Sequence, residues 1–305
     1  MKTPELNVVT GAFSHTGKYI TQRLLSMGER VKTLTGHPNR EDPFGKQVSA
    51  YPFNFDNPSQ LVENLQGATT LYNTYWIRFP HRWGTFDEAV KNSKTLIKAA
   101  EEAGVRRMVH ISITNPSEES PFPYFKGKAL LEKATVNSKL SYAIVRPALI
   151  FGVEGILINN IAWLLRKFPV FAVSGLGDYQ VQPIFVEDLA EIAVSAGHKG
   201  DNIVIDAVGP EIFTFEELVR LIADKIHSRA RIVNVRPELV LFLARLIGFV
   251  VRDVVITRDE IEGLMSNLLV SHDSATGQTR LSQWLGENAD AMGVKYVSEL
   301  KRHQR

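Results

Sequence analysis

The chain has 305 residues, is 44% hydrophobic and 22% charged, and carries a formal charge of +2. That is the composition of an ordinary globular protein of one or two domains. With no cysteine, disulfides, thiolate metal centres and cysteine nucleophiles are excluded. No dense Lys/Arg cluster is interleaved with aromatics, so no nucleic-acid partner is expected. The start at Met1-Lys2-Thr3-Pro4-Glu5 runs straight into an apolar strand without the form of a signal peptide, and a cytoplasmic location is expected.

In chain order, Leu6–Thr10 reads as a strand and Gly17–Met27 as a helix stopped by Gly28. Val31–Thr35 and Val48–Phe55 are the next strands. Pro58 opens a helix that Gly67 ends, and Thr69–Thr74 is a fourth strand. Thr85-Phe86-Asp87-Glu88 has the form of a capping box, and apolar residues follow at helical spacing to Gly104. Arg107–Ile113 is a fifth strand, Tyr124–Asn137 a helix and Tyr142–Pro147 a sixth strand. Strand–helix–strand repeats demand right-handed crossovers, hence an α/β fold: a doubly wound parallel sheet of Rossmann type.

After about Gly152 the rhythm loosens. Val173–Pro183 reads as turns or a short hairpin, Glu187–Ala196 as helix, and Thr214-Phe215-Glu216-Glu217 opens another helix. Residues 1–152 are therefore expected to form a dinucleotide-binding domain, possible to extend by a strand near 202–207. Residues 153–305 are expected to form a smaller, mostly helical substrate or lid lobe.

Three groups of residues carry chemistry. Thr10-Gly11-Ala12-Phe13-Ser14-His15-Thr16-Gly17 joins the first strand to the first helix. There Gly11 supplies a tight turn, Gly17 close packing, and the helix-start amides a seat for pyrophosphate. Ser14 stands where glycine usually lets backbone approach phosphate. At the end of the second strand no acid precedes Glu41, whereas Thr35, His37 and Arg40 suit a 2′-phosphate, so NADP(H) is favoured over NAD(H). Tyr124 and Lys128 lie one helical turn apart, where an ammonium lowers a phenol's pKa and makes it an acid/base. Ser112 and Thr114 share a face of the preceding strand and would orient a substrate oxygen.

With TGAFSHTGKYI, MVHISITNPS, PYFKGKALLEKA and YAIVRPALIFG in this order, the chain resembles the short-chain dehydrogenase/reductase superfamily. It is most similar to the atypical, extended members: epimerase-like and NmrA-like proteins and the 39-kDa nucleotide-binding subunit family of respiratory complex I. The resemblance implies that Gly11, Ser14 and Gly17 bind pyrophosphate and that Asp56 meets the adenine. Asn73 and Thr74 would lie along the cofactor, Pro147 and Ile150 would flank the nicotinamide, and Tyr124 and Lys128 would be the catalytic pair. The family's hydroxyl aligns with Ser112 or with Ile113, the latter leaving the role to Thr114 or to nothing.

The expected activity is NADPH-dependent reduction of a small carbonyl or quinone-like substrate. The alternatives are a non-catalytic NADP(H)-binding scaffold, assembly factor or redox sensor, and a sugar-nucleotide epimerase or dehydratase. Trp76, Arg78 and Trp83, in an aromatic and cationic loop after the fourth strand, are candidate substrate contacts. The histidines are scattered without metal-ligand spacing, so no metal is expected. The longest apolar stretch, residues 239–251, is interrupted by Arg245 and at ~1.5 Å per residue is too short to span a bilayer. A helix with so narrow a polar seam is usually buried, the alternative being a contact with a protein partner or a membrane surface.

Overall fold

The computed structural model describes residues 4–81 and 84–300. By their internal contacts they divide into two units, residues 4–147 with 189–206, and residues 148–188 with 207–300. The first unit begins with β1 (Leu6–Thr10), α1 (His15–Ser26), β2 (Arg30–Thr35), β3 (Val48–Pro52), α2 (Pro58–Leu65) and β4 (Thr70–Asn73). It continues through α3 (Phe86–Glu102), β5 (Arg107–Ile111), α4 (Pro123–Val136) and β6 (Ser141–Pro147). The chain then runs through β7 (Leu149–Phe151), α5 (Ile156–Lys167), β8 (Val170–Ser174), β9 (Gln180–Val181) and β10 (Pro183–Phe185). It returns to the first unit in α6 (Val186–His198) and β11 (Ile203–Ala207). The remaining elements are β12 (Phe213–Thr214), α7 (Phe215–Lys225), β13 (Arg231–Val235), α8 (Pro237–Val251), α9 (Arg258–Met265) and α10 (Leu281–Asn288).

The sheet of the first unit has the order β11-β6-β5-β4-β1-β2-β3, and the pairs from β3 to β6 are all parallel. The order reverses at β1, the point where a doubly wound fold switches the side on which its helices cross. Alternation along β4 shows both faces covered. Leu71 packs in a core that includes residues of α2 and α3, while its neighbour Tyr72 lies against Gly197 of α6. The helices start and stop where the sequence dictates: Asn57 and Thr85 cap α2 and α3 with side-chain oxygens, the latter in a full capping box.

The return of residues 189–206 is fastened by a buried guanidinium. Arg107 of β5 donates to the carbonyls of Ala196 (2.9 Å) and Asp201 (2.9 Å) and to the hydroxyl of Ser141. Burial lowers the Arg107 pKa, and these acceptors compensate the lost water.

The second unit is built mainly from helices α5 and α7–α10, with short strands between them. Two-stranded ribbons β7–β10, β9–β12 and β8–β13 surround a core that contains Phe151, Val173, Leu218, Ile222 and Trp284. Capping boxes at Thr214 and Thr257 start α7 and α9. The buried side-chain amides of Asn159 and Asn160 of α5 hold the segment 293–297 through hydrogen bonds to its backbone. Among the described residues no helix is long and apolar enough to cross a membrane.

A candidate nucleotide site in the first unit

The β1–α1 turn is built by close backbone approach. Gly11 has φ +65°, a left-handed conformation that a side chain rarely adopts. A Cβ on Gly17 would sit far inside contact distance of the Gly11 carbonyl, so only glycine lets α1 start against the turn. Thr33 braces this arrangement from β2. Its hydroxyl donates to the Val9 carbonyl (2.8 Å) and accepts from the Ala12 amide (3.0 Å). Ser14 occupies the cap position of α1 without capping it; its hydroxyl donates back to the Gly11 carbonyl at 2.6 Å. The amides of Thr16 and Gly17 consequently have no acceptor among the described residues. A helix start with no acid in its first turn and unused N–H groups fits a pyrophosphate.

Beside the turn, the Thr35 hydroxyl accepts the His37 amide at 3.1 Å, which folds the end of β2 into a bend. His37 and Arg40 are exposed there. Asp56 is exposed just before α2. Asn73 and Thr74 are latched to β1. Thr74 Oγ1 donates to the Thr10 carbonyl, and Thr10 Oγ1 accepts the Thr74 amide at 2.7 Å. Asn73 Oδ1 accepts from Thr10 Oγ1 and from the Tyr75 amide, while its Nδ2 lies 3.2 Å from His110 Nδ1. His110 is fully buried. Desolvation, helped by the nearby Lys128 charge, holds its pKa well below the usual histidine range, so its ring is neutral.

Tyr124 and Lys128 follow on α4, where Pro123 sets the first turn. The Lys128 ammonium is buried at 3% exposure, donates to the Ile111 carbonyl at 2.8 Å, and lies 4.8 Å from the Trp76 ring centroid. Burial drives its pKa from 10.5 down to about 7, against the opposing charge of Glu132. At neutral pH this lysine is therefore less fully charged than an exposed one, a weaker perturber of the phenol than the spacing alone implies. Trp76 also meets the Tyr124 ring edge-on at 5.8 Å and stacks on Phe86 at 5.9 Å. Its seat is Gly127, where a Cβ would lie 2.6 Å from the indole.

Ser112 turns to a different partner. Its hydroxyl donates to Glu132 Oε1 at 2.5 Å, and Glu132 also accepts two hydrogen bonds from Arg146 of β6. Thr114 is buried on the loop after β5, its amide bonded to the Pro147 carbonyl. Pro147 ends β6, whereas Ile150 lies on β7 in the second unit. Arg78 covers the Phe79 ring at 5.6 Å, and Trp83 lies outside the described residues. Sequence reasoning did not foresee three participants: Gly127 as the indole's seat, the Glu132–Arg146 pair, and His110 as partner of Asn73.

Residues 11–153 match a family model described as NAD(P)H-binding. This stretch is an NAD(P)-binding domain. Over 87% of its length the chain is 26% identical to 71% of "NADH dehydrogenase [ubiquinone] 1 alpha subcomplex subunit 9, mitochondrial" of Arabidopsis thaliana. Over 79% of its length it is 24% identical to 78% of "Photosystem II assembly factor Ycf39" of Cyanidium caldarium. Among solved structures, an NADPH-dependent quinone oxidoreductase of Escherichia coli superposes with a TM-score of 0.74 at 18% identity, covering 93% of this chain and 98% of the other. A nucleoside-diphosphate-sugar epimerase of Staphylococcus aureus gives a TM-score of 0.72 at 16% identity, covering 92% and 99%. These likenesses bear out the resemblance and the Rossmann-type fold read from the sequence.

Proposed function

We propose that the first unit holds NADP(H) and that the conformation described here is a nucleotide-holding state rather than one ready for turnover. The observation that carries this reading is the closure over Lys128. Its ammonium is already bonded to the Ile111 carbonyl and roofed by Trp76, so a ribose or substrate oxygen has no approach to it while the indole stays on Gly127. In this proposal Thr16 and Gly17 hold pyrophosphate through their amides, and His37 and Arg40 hold the 2′-phosphate that selects NADP(H). Asp56, Asn73 and Thr74 border the adenosine side. The role is that of a scaffold, assembly or sensing protein; of the relatives, one is a subunit of an NADH dehydrogenase and another a photosystem II assembly factor. A chain without cysteine suits the cytoplasm or another reducing compartment.

A second reading is favoured by the one-turn spacing of Tyr124 and Lys128, both in contact with the same indole. Bound NADPH supplies a hydride. With Trp76 displaced, Tyr124 would give a proton to the oxygen of a carbonyl or quinone, and Lys128 would recover its charge and draw the phenol's pKa down. Titration calorimetry with NADPH and NADH, followed by NADPH oxidation over a panel of quinones and carbonyls, decides between the two. Tight NADPH binding without oxidation supports the holding role. Steady oxidation that Tyr124→Phe abolishes overturns it in favour of the reductase, and no binding of either nucleotide overturns both.

A further inference from the structure

The second unit carries a surface that nucleotide binding does not use. Helix α8 seats one side on its own unit through Leu241, Ala244 and Gly248, all buried. The small residues bring the helix close, and a Cβ on Gly248 would lie 2.6 Å from the Asp253 carbonyl. The end of the helix is pinned. Arg252 turns the chain at φ +55°, and the Asp253 carboxylate accepts the amides of Val254, Glu299 and Leu300. The opposite side faces outward and is wholly apolar. Leu239, Phe242, Leu243, Leu246, Phe249 and Val250 fall within an arc of roughly 120° at 100° per residue. Phe249 is 88% and Val250 78% exposed. Burial of the whole helix, the usual fate of so apolar a sequence, is therefore not what this chain adopts.

We infer that this face of α8 lies on an anionic lipid surface, with Phe249 and Val250 entering the acyl boundary. Two features favour lipid over protein. First, the outward arc offers no side-chain hydrogen-bonding group, whereas protein interfaces carry about one hydrogen bond per 100–200 Å². Second, the charges at its borders are predominantly cationic. Arg245 and Arg252 share one edge with Glu238, and Arg236 precedes the first turn. On the helix and its immediate flanks the basic residues are Arg236, Arg245 and Arg252, and the acids are Glu238 and the buried, amide-bonded Asp253. An apolar face bordered by long cationic side chains is the arrangement of a helix lying in the plane of a bilayer interface, its guanidinium groups at the headgroups. The pinned end presents that face preformed, so little ordering opposes docking.

Vesicle co-sedimentation of the full chain tests this. The probes are phosphatidylcholine vesicles and the same vesicles carrying about a third phosphatidylglycerol at low salt. The expected result is binding to the anionic vesicles, weakened by salt and largely lost on pure phosphatidylcholine. Phe249→Ser, at a side chain the fold does not bury, should weaken vesicle binding by roughly tenfold or more. The double variant Arg245→Glu, Arg252→Glu should lose the preference for anionic vesicles while keeping the helix, checked by circular dichroism. Failure of the wild-type chain to sediment with anionic vesicles overturns the proposal, as does unchanged binding by Phe249→Ser. Dimerisation in sedimentation velocity that Phe249→Ser abolishes, without vesicle binding, also overturns it and assigns the face to a second copy of the chain.

Discussion

The β1–α1 turn and the start of α4 both lie at the carboxyl ends of parallel strands in the same sheet, yet glycine does opposite work in them. At the turn, Gly11 and Gly17 remove side chains so that backbone packs on backbone, and the amides of Thr16 and Gly17 have no acceptor among the described residues. On α4, Gly127 removes a side chain so that Trp76 can move in against the helix and close over Lys128. One end is prepared to receive a ligand and the other is filled by the protein itself. A glycine in a binding fold thus has no fixed meaning until its neighbour is known.

The contrast can be broken most severely at the turn. Gly17→Ala forces Cβ into the Gly11 carbonyl and should abolish NADPH binding, an affinity loss of about 100-fold or more measured by calorimetry, with thermal denaturation checking the fold. Next in size, Arg40→Ala should weaken NADPH by ~10–100-fold, the worth of a charge-assisted phosphate contact, and leave NADH unchanged. Equal losses for both nucleotides would remove Arg40 from a 2′-phosphate site.

At the closed end the expected effects are smaller and read differently. Trp76→Ala uncovers Lys128, so its modification by an amine-directed reagent at pH 7 should speed up by about tenfold or more. An unchanged rate would mean that the indole is not the barrier. The charge state of Lys128 also predicts a pH dependence. Its folded pKa of about 7 lies below the unfolded value of 10.5, so between those values the unfolded chain binds the extra proton and stability rises with pH. Lys128→Met should flatten that rise in melting temperature between pH 7 and 10. The smallest effect is expected at Ser112→Ala, about 1 kcal/mol, because Glu132 keeps both hydrogen bonds from Arg146.

Much of the fold was legible because its signals are local. Thr85 with Glu88 and Thr214 with Glu217 announced two helix starts, and both form full capping boxes. Gly28, Gly67 and Gly104 each take positive φ after their helices. Strand ends were less well defined: Val48–Phe55 shortens to Val48–Pro52, and Arg107–Ile113 to Arg107–Ile111. The stretch read as turns or a short hairpin leads into β9 and β10, strands of two and three residues that pair with the distant β12 and β7 and not with each other, too short for alternation to show. The glycine turn was readable for the same local reason as the caps. The closure over Lys128 was not, because it joins residue 76 to residues 127 and 128 from different elements, and no spacing rule links them. Ser112 shows this from the other side: its hydroxyl answers to Glu132, twenty residues away, and not to the phenol whose spacing drew attention to it.

The guanidinium of Arg107 has a practical consequence for anyone dissecting the molecule. Its carbonyl acceptors, Ala196 and Asp201, come from far downstream. A fragment ending near residue 152 would therefore strand a cation in the sheet and strip β11 from its edge. The nucleotide-holding half cannot be excised by a single cut; it would have to be made as a fusion that splices residues 189–206 back after residue 147.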